Sequence, residues 1–207
     1  MINRRIARVI GCLTLCVLAQ VNLVVHAERP AVTEDMVTAG ARSAFDLIEQ
    51  GDVEEAERRF RILLRHQPDH FSTRFGFGTV LIKQHKYEEA IEVLESLLDD
   101  HPEAHAVMNN LAWLYATATD VAFRDGTRAI KLAQEAVFLQ PRNYHVWNTL
   151  AEAHYISGEY DRAARAAEEA LRRAHQQDAP ISQIRTYEEQ AARSRKASQA
   201  AEILGDL

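Results

Sequence analysis

The chain has 207 residues, 47% hydrophobic and 26% charged, a composition that fits a folded globular domain and excludes a disordered one. Its 30 acidic residues outnumber 24 basic ones, and the formal charge of −6 disfavours nucleic acid, whose binding needs Lys and Arg at phosphates. Five prolines and eight glycines leave room for long uninterrupted helices, so the expected fold class is all-α.

Residues 1–27 differ from everything after them. Arg4, Arg5 and Arg8 make a basic start, no acid precedes Glu28, and an apolar run extends from Val9 to Val25, broken by Gln20 and Asn22. Val25-His26-Ala27 gives the small-residue ending of a signal peptide cut between Ala27 and Glu28. A membrane helix needs about 20 apolar residues, more than this run offers. Cleavage and export, to a periplasmic compartment, is therefore the first reading; a retained anchor with the rest of the chain facing the periplasm is the alternative. Cys12 and Cys16 both lie here. Leu15 is too bulky to precede an acylated cysteine, and Gly11-Cys12 stands too close to Arg8 for a signal core, which argues against lipidation. Cleavage leaves no cysteine, hence neither disulfide nor thiol nucleophile. It also lowers the basic count from 24 to 21 against 30 acids, a formal charge of −9 that offers little to an anionic membrane. Contact with a membrane is then expected only through the N-terminal segment, if uncleaved.

Residues 28–36 read as a short lead-in. The chain then repeats itself. Val53 and Tyr87, Ala56 and Ala90, Phe60 and Leu94, and Pro68 and Pro102 are all 34 apart. Ala90 to Ala129 and Pro102 to Pro141 are 39 apart, and Ala129 to Ala163 returns to 34. Four units result, near 37–70, 71–104, 105–143 and 144–177, each read as two helices joined by a tight turn. In the first, Ala44 and Leu47 precede Gly51, and Val53, Ala56, Phe60 and Leu63 follow it. The second puts His85 where the turn glycine belongs. The third carries five extra residues near 117–127, in which Phe123 can tuck under the loop and Asp125-Gly126 can turn. In the fourth, Trp147, Leu150, Ala151, His154 and Tyr155 lead to Gly158, then Tyr160, Ala163, Ala167 and Ala170. Pro68, Pro102 and Pro141 stop the second helices. After His175 the pattern fails, and Asp178-Ala179-Pro180 opens a last helix within 178–207. Ile181, Ile184, Tyr187, Ala191 and Ile203 are expected to cap the last hairpin, with Arg185, Arg193, Arg195 and Lys196 in water.

The recurring slots are a large residue, Leu-Ala or Leu-Gly, a tyrosine, a turn glycine, alanine, an aromatic, alanine and a terminal proline. This pattern resembles the tetratricopeptide repeat family over residues 37–175, closely in Trp147–Ala170 and more loosely in Gly78–Pro102. The resemblance implies an α-solenoid of about four hairpins with a C-terminal capping helix (residues 178–207). It also implies a concave groove, lined by first helices, that holds a protein or peptide partner. Transferring the family's inward slots gives Ala41, Phe45 and Glu49, then Phe75, Thr79 and Lys83 in the second unit. The third supplies Asn109, Trp113 and Ala116, and the fourth His145, Asn148, Glu152 and Tyr155. Asn109 and Asn148 share a slot, and their amides can donate to and accept from a peptide backbone. The same aromatics can instead pack between helices, or against the C-terminal helix folded into the groove. Phe45 and Thr79 stand where the family's chaperone-tail clamp needs asparagines, so that clamp is not expected.

Chemistry is hard to find. His66 and His70, and His101 and His105, are four apart, but Pro68 and Pro102 interrupt each pair, which favours solvated turn histidines over metal ligands. Glu54-Glu55, Glu88-Glu89, Asp99-Asp100 and Glu168-Glu169 fall on outer faces or ends of helices, where carboxylates keep ordinary acidity. No nucleophile elbow, phosphate loop or dinucleotide fingerprint occurs. The expected function is a non-catalytic exported adaptor that needs no cofactor and no metal and holds a segment of an envelope complex. A membrane-anchored or self-associating scaffold is the alternative.

Overall fold

The computed structural model describes residues 31–205, so the signal reading of 1–27 lies outside them. Residues 35 onward form one compact unit. It is an all-α solenoid of four hairpins and one further helix: α1 Glu34–Gln50 with α2 Val53–His66, and α3 Phe71–Lys83 with α4 Tyr87–Asp100. α5 His105–Thr117 pairs with α6 Gly126–Leu139, and α7 Tyr144–Ile156 with α8 Tyr160–Gln176; α9 Ile181–Gly205 follows. The first helices of units two to four begin at the expected residues. α1 begins at Glu34, inside the stretch read as lead-in. Among the described residues no helix is long and apolar enough to cross a membrane.

The hairpins close because small residues stand where the two helices cross. Ala56, Ala90, Ala129 and Ala163, the recurring alanines of the second helices, are all wholly buried. Larger side chains fill the intervals: Phe60, Leu94 and Leu97 are wholly buried too. Asp52 and Asp125 start α2 and α6 by accepting the backbone N–H of Glu55 and Arg128.

Each tight turn needs one residue with left-handed backbone. Gly51 (φ 86°) and Gly158 (φ 76°) supply it in units one and four, and His85 (φ 60°) supplies it in unit two. A side chain in that conformation costs about 1–2 kcal/mol. His85 offsets the cost with its own imidazole, whose Nδ1 lies 2.6 Å from the Tyr87 hydroxyl. That hydroxyl also accepts the Thr119 N–H at 3.1 Å, so the turn of unit two is tied to the insertion of unit three. The insertion forms a short 3-10 helix, Val121–Phe123, and the Phe123 ring packs 5.5 Å from Tyr87. Phe123 is half-buried there. Asp125-Gly126 is not a turn: Asp125 caps α6 and Gly126 is its first residue, kept small by Ser157, whose Oγ would lie 2.2 Å from an added Cβ.

The acidic residues do more than face water. Glu55 is held below the usual carboxylate range by hydrogen bonds from Arg59 and Arg58. Burial would raise Glu57, but Lys86, Arg61 and Gln84 surround it and bring it down to about 2. Lys86 reaches Glu57 across units at 2.9 Å, Arg61 reaches Glu89 at 3.2 Å, and Arg128 reaches Glu95 at 3.1 Å. Ion pairs therefore join α2 to α4 and α4 to α6.

Two expectations for α9 need correction. Tyr187 and Ala191 are buried, but Ile181 and Ile203 are 78% and 67% exposed. Arg193 and Arg195 are not simply solvated, because they pair with Glu152 and Glu168. The reason is helical phase. The face that packs runs through Tyr187, Ala191 and Ser194, and Ile181 and Ile203 fall off it.

Candidate protein-binding groove

First helices of neighbouring hairpins lie side by side, and their facing side chains define the candidate groove. Between α1 and α3, Phe45 packs 6.2 Å from Phe75, which stacks on Phe71 one turn back at 6.3 Å. The three rings are only half-buried. Phe71 is missing from the transferred slots, although it lies four residues before Phe75 on the same helical face, a spacing legible in the sequence. Between α3 and α5, Asn110 donates its amide to the Thr79 hydroxyl at 2.9 Å, and that hydroxyl donates to the Phe75 carbonyl. Trp113 and Asn109 are half-buried on α5, and Glu49 and Lys83 are exposed. Ala41 and Ala116 are core residues, each 1% exposed.

The fourth unit is different, because α9 covers it. Asn148 and Glu152 on α7 are 7% and 6% exposed. Arg193 of α9 donates to both oxygens of Glu152 at 2.6 and 2.7 Å, and its guanidinium sits 4.1 Å from the centre of the Tyr155 ring. The Tyr187 hydroxyl lies 3.1 Å from His145 Nδ1, and Tyr144 donates to Gln183. Phe45, Phe75, Asn109 and Trp113 thus lie along one stretch of first helices, whereas His145, Asn148, Glu152 and Tyr155 lie against a helix of the same chain.

Asn109 and Asn148 share one further property. The side-chain carbonyl oxygen of each is buried and finds no hydrogen-bond partner. A buried acceptor left unsatisfied costs about 1–3 kcal/mol, and here the cost recurs in the same slot of consecutive hairpins.

The histidines have structural work. His70 caps α3, its Nδ1 accepting the Thr73 N–H at 3.3 Å, while Nε2 lies 3.1 Å from the Thr38 hydroxyl. His101 meets Phe71 edge-on at 5.0 Å. His70 and His105 are half-buried, whereas His66 and His101 are exposed, as expected of solvated turn histidines. No group of three His, Cys, Asp or Glu converges as a metal cage among the described residues.

His154, 5% exposed, is pushed below its ordinary value by burial, which outweighs the Glu159 carboxylate 2.7 Å away. Burial shifts the more exposed His145 the same way. A neutral imidazole is therefore favoured in the native state. As pH falls through about 6.5 the unfolded chain takes up protons first, so stability is complete above that value and lost below it. Urea midpoints are expected to drop between pH 7.5 and 5.5, and His154→Gln should flatten that slope. An unchanged slope would place the acid sensitivity elsewhere.

Comparison with known proteins agrees with this architecture. Sequence profiles of the tetratricopeptide repeat match residues 47–114 and again 119–179, together more than half of the chain. No curated protein matches its sequence. Among solved structures, a thermophilic repeat protein of Thermus thermophilus superposes with a TM-score of 0.58 at 19% identity, covering 65% of this chain and 73% of that one. A MamA RS-1 double mutant gives 0.55 at 22% identity, with 72% and 80% covered. Residues 41 to the end of MamA from Desulfovibrio magneticus RS-1 give 0.54 at 14%, with 82% and 98% covered. At such identities the likeness is one of fold.

Proposed function

We propose that this chain, which belongs to the tetratricopeptide repeat family, is a non-catalytic scaffold that holds a segment of a partner protein along α1, α3 and α5. The observation that carries the reading is the half-buried aromatic surface of Phe45, Phe71, Phe75 and Trp113 beside the unpaired Asn109 carbonyl. Aromatic rings supply much of the recognition energy at such surfaces, and the Asn109 amide on the same helix as Trp113 can donate to and accept from a peptide backbone. Arg4, Arg5, Arg8 and the apolar run to Val25 support export, with the array working in the periplasm as an envelope adaptor. No catalytic motif competes with this reading.

Affinity capture from the native envelope fraction tests it. Phe75→Ala with Trp113→Ala is expected to weaken partner retention at least about 100-fold, two lost anchors at about 2 kcal/mol each being ample. The helical circular dichroism should stay unchanged. Retention equal to that of the unaltered chain would exclude this stretch as the binding surface. Intact mass of the bait in the same run reports whether the chain starts at Glu28.

A second reading, self-association, is favoured by one observation. Phe138 on α6 is 84% exposed and borders an apolar depression of about 370 Å³ that includes Met108 and Leu139. A knob beside a hollow is self-complementary under a two-fold axis, and Lys131 and Glu135 in the same rim can pair across it. Phe138→Glu should abolish any concentration-dependent rise in mass by sedimentation. A wild-type chain that stays monomeric at high concentration removes the reading.

A further inference from the structure

The seam between α7 and α9 is held by an unusual set of contacts for a cap. Its own apolar part is small, because the buried Tyr187 and Ala191 share their clusters with Leu171, Ala174, Ala166 and Ala167 of α8, on which α9 chiefly lies, and Ile181 and Ile203 contribute little. Its polar part is specific, with Arg193 on Glu152 and over Tyr155, and Tyr187 against His145. It is also incomplete. Asn148, 7% exposed, keeps an unpaired carbonyl in the seam, and Gln190 on α9 carries a second buried, unpaired carbonyl. Further along, a cleft of about 610 Å³ opens between Arg162 and Arg165 of α8 and Ala201 and Glu202 of α9.

We infer that α9 is a resident, displaceable ligand of the α7 surface, and that this surface takes an arginine-bearing helical segment of another protein. The occupant states the chemistry. One guanidinium nitrogen reaches both oxygens of the buried Glu152 carboxylate while the planar group lies over Tyr155, and it is this flat stacking that lysine cannot reproduce. An aromatic side chain fills the place of Tyr187. The competing segment gains over α9 by placing a hydrogen-bond donor against Asn148, which α9 leaves unpaired. Glu152 is charged and nearly inaccessible, so the surface cannot stand empty without cost; α9 guards it until exchange. This inference rests on the groove reading above and extends it by one hairpin.

Two measurements on the full chain test it. Native-state hydrogen exchange of the unaltered protein should show amides of residues 184–199 opening at least tenfold more readily than those of α5. Equal protection would mean that α9 is an integral cap and would overturn the inference without any variant. In the second, a labelled synthetic peptide spanning residues 180–203 is titrated into the unaltered chain and into Tyr187→Ala/Arg193→Ala. The double variant, whose α7 surface is intact, should bind the peptide at least tenfold more tightly, and adding Glu152→Gln should reverse the gain. Equal binding to both chains, or a gain that survives Glu152→Gln, overturns the inference. Failure here with capture still dependent on Phe75 and Trp113 sinks the exchange idea alone; loss of that dependence sinks the groove itself.

Discussion

Phe60→Ala is expected to lower unfolding free energy by about 3–5 kcal/mol, the range for truncating a fully buried phenylalanine. Phe60 is wholly inaccessible, meets Phe45 edge-on at 5.4 Å, and fills the space in which α1, α2 and α3 converge. Small domains have about 5–15 kcal/mol in all, so the loss is a large share of the total. Stability in a solenoid adds up through nearest neighbours, so the first two hairpins should melt before the rest. Urea titration followed by circular dichroism, with hydrogen exchange to locate the loss, reads both effects. A single unshifted transition would show that the rings of unit one contribute little.

Gly76→Ala should cost about 1–3 kcal/mol by overpacking. An added Cβ would stand 2.3 Å from Phe60 Cζ and 2.9 Å from Phe45 Cζ, and the wholly buried Phe60 ring has no room to retreat. The decisive experiment is a double-mutant cycle with Phe60→Leu, which shortens the obstructing side chain. Residues in contact couple by about 0.5–3 kcal/mol, so the double variant should be more stable than the sum of the single effects predicts. Strict additivity would mean that the new methyl meets something other than Phe60. Gly76 is thus placed by a neighbour's bulk, not by backbone conformation.

The hairpins were legible because their spacing is carried by residues with no substitute. Alanines at the crossings and prolines after the second helices recur at 34 or 39, left-handed turn residues mark units one, two and four, and the first helices of units two to four start where those marks put them. Even the exception at His85 was visible as a missing glycine, although its remedy through Tyr87 depends on distance in space. The groove was only partly legible. A first-helix slot is known from phase alone, so Phe45, Phe75 and Trp113 could be named. What lies opposite a slot depends on how the last helix docks. The sequence of α9 has no clean amphipathic stripe, and the isoleucines that suggested its buried face are the ones left outside. Arg193 looked like a solvated charge because its partner Glu152 is 41 residues away, beyond any local pattern.

The ion pairs that join α2 to α4 and α4 to α6 have a mechanical consequence. Exposed charge pairs weaken as ions screen them over about 10 Å at 0.1 M salt, whereas packed rings such as Phe45 and Phe75 do not. The two rows of helices therefore respond differently to the same change in the medium. Added salt is expected to loosen the ion-paired side more than the aromatic side.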